Sequence, residues 1–122
     1  MSIYNLGSIN IDNFYKVPHI PAPGETIAAS NMSIGLGGKG ANMSVAAARG
    51  AARVVHIGAI GLDGKWTRDR LTEYGVDTRF IVDGTHTGHA IICVADDGEN
   101  AITLFTGANH EITSDLIGSS LS

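Results

Sequence analysis

The stretch Arg53-Val54-Val55-His56-Ile57-Gly58-Ala59-Ile60 constrains this chain more than any other. It is apolar and β-branched without alternation, the pattern of a strand covered on both faces rather than one with a wet side. Such a strand needs neighbours that can cover it, and the flanking sequence offers helices. The alanine-rich run after Gly40 predicts a helix over about 41–49, with Gly50 placed as its C-terminal stop. Asp63 reads as the cap of a second helix that runs to Tyr74 and ends at Gly75.

Other segments extend the alternation. Ile3 to Ile9 and Phe80 to Val82 read as strands, and Phe14 to Gly24, with Pro18, Pro21 and Pro23, as an irregular connection. Glu25 to Ile34 looks extended until the glycine cluster interrupts it. Gly88 to Ala95 and Asn100 to Thr106 flank Asp96-Asp97-Gly98-Glu99, whose Asp-Gly pair predicts a hairpin. A weak helical pattern of Ile112, Leu116 and Ile117 follows a cap at Thr113 or Ser114 and is still running where the chain ends. The class this implies is α/β.

Size and charge narrow the partners. A chain of 122 residues is one ordinary domain, able to bury roughly two thirds of the surface its unfolded form exposes. Its formal charge is −4 and its eight basic residues are scattered, so no footprint for nucleic acid or an anionic membrane is visible. No apolar run approaches the roughly 18 residues of a membrane helix, and the N-terminus lacks the pattern of a signal peptide. The expected compartment is the cytoplasm, with Cys93 a lone buried thiol in an apolar run.

Chemistry concentrates in Gly37-Gly38-Lys39-Gly40-Ala41-Asn42. Glycines let a ligand approach the main chain, and free N–H groups at the following helix start favour hydroxyls or anions. Lys39 adds a cation with three donors, and Asn42 a donor and an acceptor. Asn10 and Asp12, two apart, share a face if their segment is extended, and an ionised Asp12 suits a pair of hydroxyl donors. Together the two patches suggest a polyhydroxyl ligand. The bland readings are a tight strand-to-helix turn for the glycines and an Asx turn for Asn10 and Asp12.

Rival motifs fare worse. A Walker A loop would need a glycine where Ser33 stands and a Ser or Thr where Gly40 stands. A dinucleotide fingerprint matches formally at Gly35, Gly37 and Gly40, with Asp63 downstream, but a whole strand and a proline-rich connection precede it. His86 and His89 lack a third ligand at metal-binding spacing, and Asp96 to Glu99 is too short for a calcium loop.

Gly7-Ser8-Ile9-Asn10-Ile11-Asp12, then Pro23-Gly24-Glu25-Thr26, then the glycine cluster with its alanine-rich helix, resemble in order and spacing the N-terminal portion of the ribokinase-like family of carbohydrate kinases. The resemblance runs from about residue 3 to about Asn109. It implies the N-terminal part of a doubly wound α/β sheet with a small β lid formed by segments near 13–35 and 87–106. It also implies transfer of the ATP γ-phosphoryl group to a pentose hydroxyl, ribose to ribose 5-phosphate. Lys39 favours ribokinases over fructokinases within the family. By position, Asn10, Asp12, Gly38, Lys39 and Asn42 would hold the sugar hydroxyls, with His89 and Ile91 touching the sugar from a lid strand.

Two departures stand out: Ala51, where the family usually has glycine or serine, and Trp66, where a glycine is expected after Gly61-x-Asp63. A larger one is that the family's Gly-Ala-Gly-Asp motif, which brings the catalytic carboxylate and an anion-holding helix start, does not occur. Gly107-Ala108-Asn109 is no substitute, since an amide cannot act as the base. The expectation is therefore a chain with no catalytic residue and no cofactor site of its own, inactive alone. ATP, Mg²⁺ and a monovalent cation would serve the complete enzyme. Expected partners are a pentose and either a second copy through the β lid or a missing C-terminal segment. The alternatives are a non-catalytic sugar-binding or lid-mediated interaction module and, third, a dinucleotide-binding oxidoreductase.

Overall fold

A computed structural model describes residues 2–121. Its strands are β1 (Ser2–Leu6), β2 (Asn10–Val17), β3 (Asn31–Gly37), β4 (Arg53–Ile60), β5 (Asp77–Asp83), β6 (Gly88–Ala95) and β7 (Asn100–Phe105). The helices are α1 (Lys39–Arg49), α2 (Lys65–Glu73) and α3 (Ser114–Leu121), with 3₁₀ turns over Leu62–Gly64 and Gly107–Glu111. Two sheets result. One is parallel in the order β1-β4-β5, and the other has the order β3-β2-β6-β7. In the second sheet β2 runs antiparallel to β3 but parallel to β6, and β6 and β7 form the expected hairpin.

The continuous apolar run forms β4 over the expected span, and every residue from Val54 to Ile60 is buried. Val54 and Ile60 join Ile9, Ala41, Leu71, Val76 and Ile81 in one core, against which Leu36, Val45 and Ala47 pack. Fully burying side chains of this size is worth roughly 1.5–3 kcal/mol each before entropy is counted. The core thus gathers β4, its neighbour β5, both long helices and the turn after β1.

Several boundaries differ from expectation. The first strand ends at Leu6, not Ile9, because the chain turns at Gly7 to enter the other sheet. Asn10 and Asp12 consequently open a second strand instead of closing the first. Residues 14–17, expected to be irregular, belong to β2, and the connection begins only at Pro18, whose missing N–H would break the ladder. Residues 25–30 are a loop in which the Glu25 carboxylate accepts the Ala22 N–H and bonds His19. The extended segment starts at Asn31 and runs through Gly35 and Gly37, which pair with Asp12 and Asn10.

Two helix ends also differ. Asp63 does not cap α2; its carboxylate instead accepts the Thr87 N–H at 3.0 Å and the Thr87 hydroxyl at 2.8 Å. Burial pushes that carboxyl up, but the bonds from Thr87 outweigh it and hold Asp63 below the usual carboxylate range. At the end of α1 the left-handed residue is not Gly50 (φ −81°) but Ala51, at φ +67°. A Cβ held in that region costs about 1–2 kcal/mol. Thr113 does cap α3, its hydroxyl accepting the Leu116 N–H at 3.2 Å. Cys93 is half-buried rather than buried.

Candidate functional site

The glycine cluster is shaped first by packing. Gly7 and Gly40 meet backbone to backbone, so a Cβ on Gly7 would stand 2.7 Å from the Gly40 Cα. The Ser8 carbonyl accepts the Ala41 N–H at 2.9 Å, which ties the turn to the first turn of α1. Gly38 sits at φ +94°, and a side chain there would meet the Ser8 carbonyl oxygen at 2.7 Å. At Gly37 a side chain would collide with the Asp12 carboxylate. Steric demand therefore accounts for Gly37, Gly38 and Gly40 as a close approach of β2, the turn and α1.

That approach builds a cleft of about 480 Å³. Ser8, Asn10 and Asp12 line it from β2 and the turn before it, and Gly38, Lys39 and Asn42 from the start of α1. Ala90 and Ile92 of β6 and Ile102, Leu104 and Phe105 of β7 supply an apolar lining, completed by Thr106 and Asn109. Among the described residues, the side chains of Asp12, Lys39 and Asn42 have no hydrogen-bond or ion-pair partner within the protein. Burial pushes the Asp12 carboxyl up from its ordinary value. Asn10 is held differently: its side-chain oxygen accepts from the Asn109 amide at 2.8 Å, while the Asn109 oxygen accepts the Ile9 N–H at 3.0 Å. The Asn10 amide nitrogen is left for another acceptor.

Five of the seven expected site residues therefore come together: Asn10, Asp12, Gly38, Lys39 and Asn42. His89 and Ile91 do not line this cleft. Asp12 pairs with Ala90, so alternation puts Ala90 and Ile92 on the Asp12 face and turns His89 and Ile91 to the opposite one. His89 lines a second cavity of about 300 Å³ with Ile11, Asn13, Ile34, Asp63 and Trp66, and Ile91 is 42% exposed. Strand parity separates these two from the other five, and only the pairing register shows it. Asn109 was missed for another reason, since its partner Asn10 is 99 residues away and no local pattern announces the contact.

The rival readings lose their geometry. Gly35 and Gly37 lie inside an antiparallel strand pair, not in the turn between a first parallel strand and its helix, and Asp63 is engaged by Thr87. Among the described residues no group of three His, Cys, Asp or Glu side chains could hold a metal ion.

A polar rim of unpartnered donors and one carboxylate against an apolar wall, on an α/β scaffold, has the makeup of a small-molecule site. Residues 2–120 match the pfkB family carbohydrate kinases, and the chain belongs to that family. Over 88% of its length it is 46% identical to the ribokinase of Haemophilus influenzae, of which it covers 37%. The fold superimposes on ribokinase from Thermotoga maritima with a TM-score of 0.91 at 34% identity, over 99% of this chain and 41% of that one. Arabidopsis thaliana ribokinase, solved with ribose and ATP, matches with a TM-score of 0.80 at 32% identity, over 88% and 36% of the two chains. The chain thus spans little more than a third of the curated relative's length.

Proposed function

We propose that this chain forms the sugar-binding side of a pentose kinase, with ribose as its acceptor substrate. The observation that carries this reading is the cleft's division of labour. Asp12 can accept two hydroxyl protons, the amides of Asn10 and Asn42 and the Lys39 ammonium can donate to sugar oxygens, and Ala90, Ile92 and Leu104 can cover the C–H face of a ring. The ribose in the Arabidopsis relative supports the same choice.

In phosphoryl transfer such a cleft contributes positioning: it holds one hydroxyl in line for attack and keeps the others bonded. An ATP donor, Mg²⁺ and a monovalent cation belong to the proposal as partners of a longer protein. The Gly-Ala-Gly-Asp motif that would bring the general base and an anion-holding helix start does not occur in the sequence, so the proposal assigns neither the base nor the donor site to this chain. The four-stranded sheet would act as a lid over the sugar and as the contact for a second copy or for the rest of the protein, in a cytoplasmic setting. Among the described residues no helix is long and apolar enough to cross a membrane.

Calorimetric titration with ribose, alongside a coupled assay with ATP and Mg²⁺, tests the reading. Saturable ribose binding without turnover by this chain is the expected result. Absence of binding to ribose and to related pentoses overturns it.

A further inference from the structure

Below the sugar cleft lies a hydrogen-bonded chain of side chains that touches no part of the cleft itself. His56 on β4 and Ser44 on α1 are both fully buried. The Ser44 Oγ lies 2.7 Å from His56 Nδ1, and His56 Nε2 lies 3.1 Å from the Gly7 carbonyl oxygen. A carbonyl can only accept, so Nε2 carries the proton, Nδ1 is the acceptor and the Ser44 hydroxyl donates to it. The Asn5 amide on β1 then donates both to Ser44 Oγ at 2.9 Å and to the Gly40 carbonyl at 2.8 Å. The two ends of this relay are Gly7 and Gly40, the pair whose backbones meet under the cleft.

Resting on the sugar-binding reading above, we propose that His56, Ser44 and Asn5 are positioning residues, which lock the Gly7–Gly40 contact and thereby preset Gly38, Lys39 and Asn42 for the sugar. The physical case is one of direction. Besides the relay, one backbone bond, from the Ala41 N–H to the Ser8 carbonyl, ties the turn to α1 with a fixed direction, and the facing glycines offer no side chain to interlock. The relay fixes two carbonyls, one on each side of the contact: the imidazole donates to that of Gly7 and the Asn5 amide to that of Gly40, with the Ser44 hydroxyl joining the two. Burial pushes the imidazole down from its ordinary pKa, against the opposing effect of the Gly7 carbonyl, so the neutral tautomer that the relay requires is the stable form. No charged side chain is among the hydrogen-bond partners of the relay.

The test compares His56→Phe and Ser44→Ala with Ile81→Val, a core change on β5, in the full 122-residue chain. Amide hydrogen exchange at Gly38 to Asn42, the melting temperature and ribose affinity are measured for each. The relay variants should speed exchange at Ala41 and Asn42, and weaken ribose binding by about tenfold, because a loosened cleft must then be ordered on binding. Ile81→Val should lower the melting temperature while leaving both cleft readouts unchanged. If His56→Phe does not fold, Ser44→Ala carries the comparison, because it removes a single hydroxyl. Cleft exchange that merely follows global stability in all three variants overturns the positioning role. If the unaltered chain binds no ribose, the functional reading fails, while the exchange comparison still decides whether the relay orders the cleft backbone.

Discussion

The two sheets are built from similar residues and treated differently by the fold. In the parallel sheet β4 is buried from Val54 to Ile60, whereas in the mixed sheet β7 leaves Ile102 59%, Leu104 68% and Phe105 50% exposed. In the first sheet α1 and α2 cover β4 and β5, while the edge strand β1 leaves Ile3, Tyr4 and Leu6 exposed. The second spends its apolar residues on one wall of an open cleft and on surface beyond it. Stability should therefore be concentrated in the parallel layer, and ligand recognition where the mixed sheet meets α1.

The sharpest way to break that division is to make the same deletion in both regions. Leu71→Ala, in the core, should cost about 2–5 kcal/mol, while Leu104→Ala should stay near 0.5 kcal/mol because its side chain is already wet. Equal losses in denaturant titrations would show that the mixed sheet carries as much of the fold as the parallel one.

Asp12→Asn separates binding from stability. Loss of charge-assisted bonds to hydroxyls should weaken ribose binding ten- to a hundredfold, on the order of 1.5–3 kcal/mol. Because the folded-state pKa of Asp12 is raised by burial, its protonated form favours folding. That contribution is complete below the unfolded-state value and is lost as pH rises through the folded-state one. At neutral pH the ionised carboxylate thus weakens the fold, so the amide should unfold no earlier than the native chain in a thermal scan at pH 7. A marked drop in melting temperature would assign Asp12 to the scaffold instead.

A smaller effect is expected on the scaffold side. Ala51→Gly relieves a Cβ held at φ +67° and should raise stability by about 1 kcal/mol. A decrease would mean that the Ala51 methyl group packs in a way that outweighs its backbone strain. Smallest of all, His89→Ala should change ribose affinity by less than about twofold, since β-strand alternation turns that ring away from the cleft. A large loss would require β6 to shift register on binding.

Much of the scaffold was legible because its signals are local. The unbroken apolar run of β4 and the Asp-Gly hairpin between β6 and β7 each depend on near neighbours in sequence. The glycine cluster was legible as special, but its reason was not. Gly35 and Gly37 read as breakers, yet they extend β3, and at Gly37 the Asp12 carboxylate on the neighbouring strand needs the space a side chain would fill. Asp63 looked like a helix cap and serves a strand-connecting turn 24 residues away.

Sequence alone marked the chain as α/β and grouped Asn10 and Asp12 with Gly38, Lys39 and Asn42, because residue type and spacing are local, and its ordered motifs carried the resemblance to carbohydrate kinases. Tertiary structure decided which face of β6 lines the cleft, that Asn109 braces Asn10, and that a buried relay through His56 underlies the glycines. Those facts depend on strand register and on contacts between residues tens of positions apart, for which a linear pattern carries no distance information.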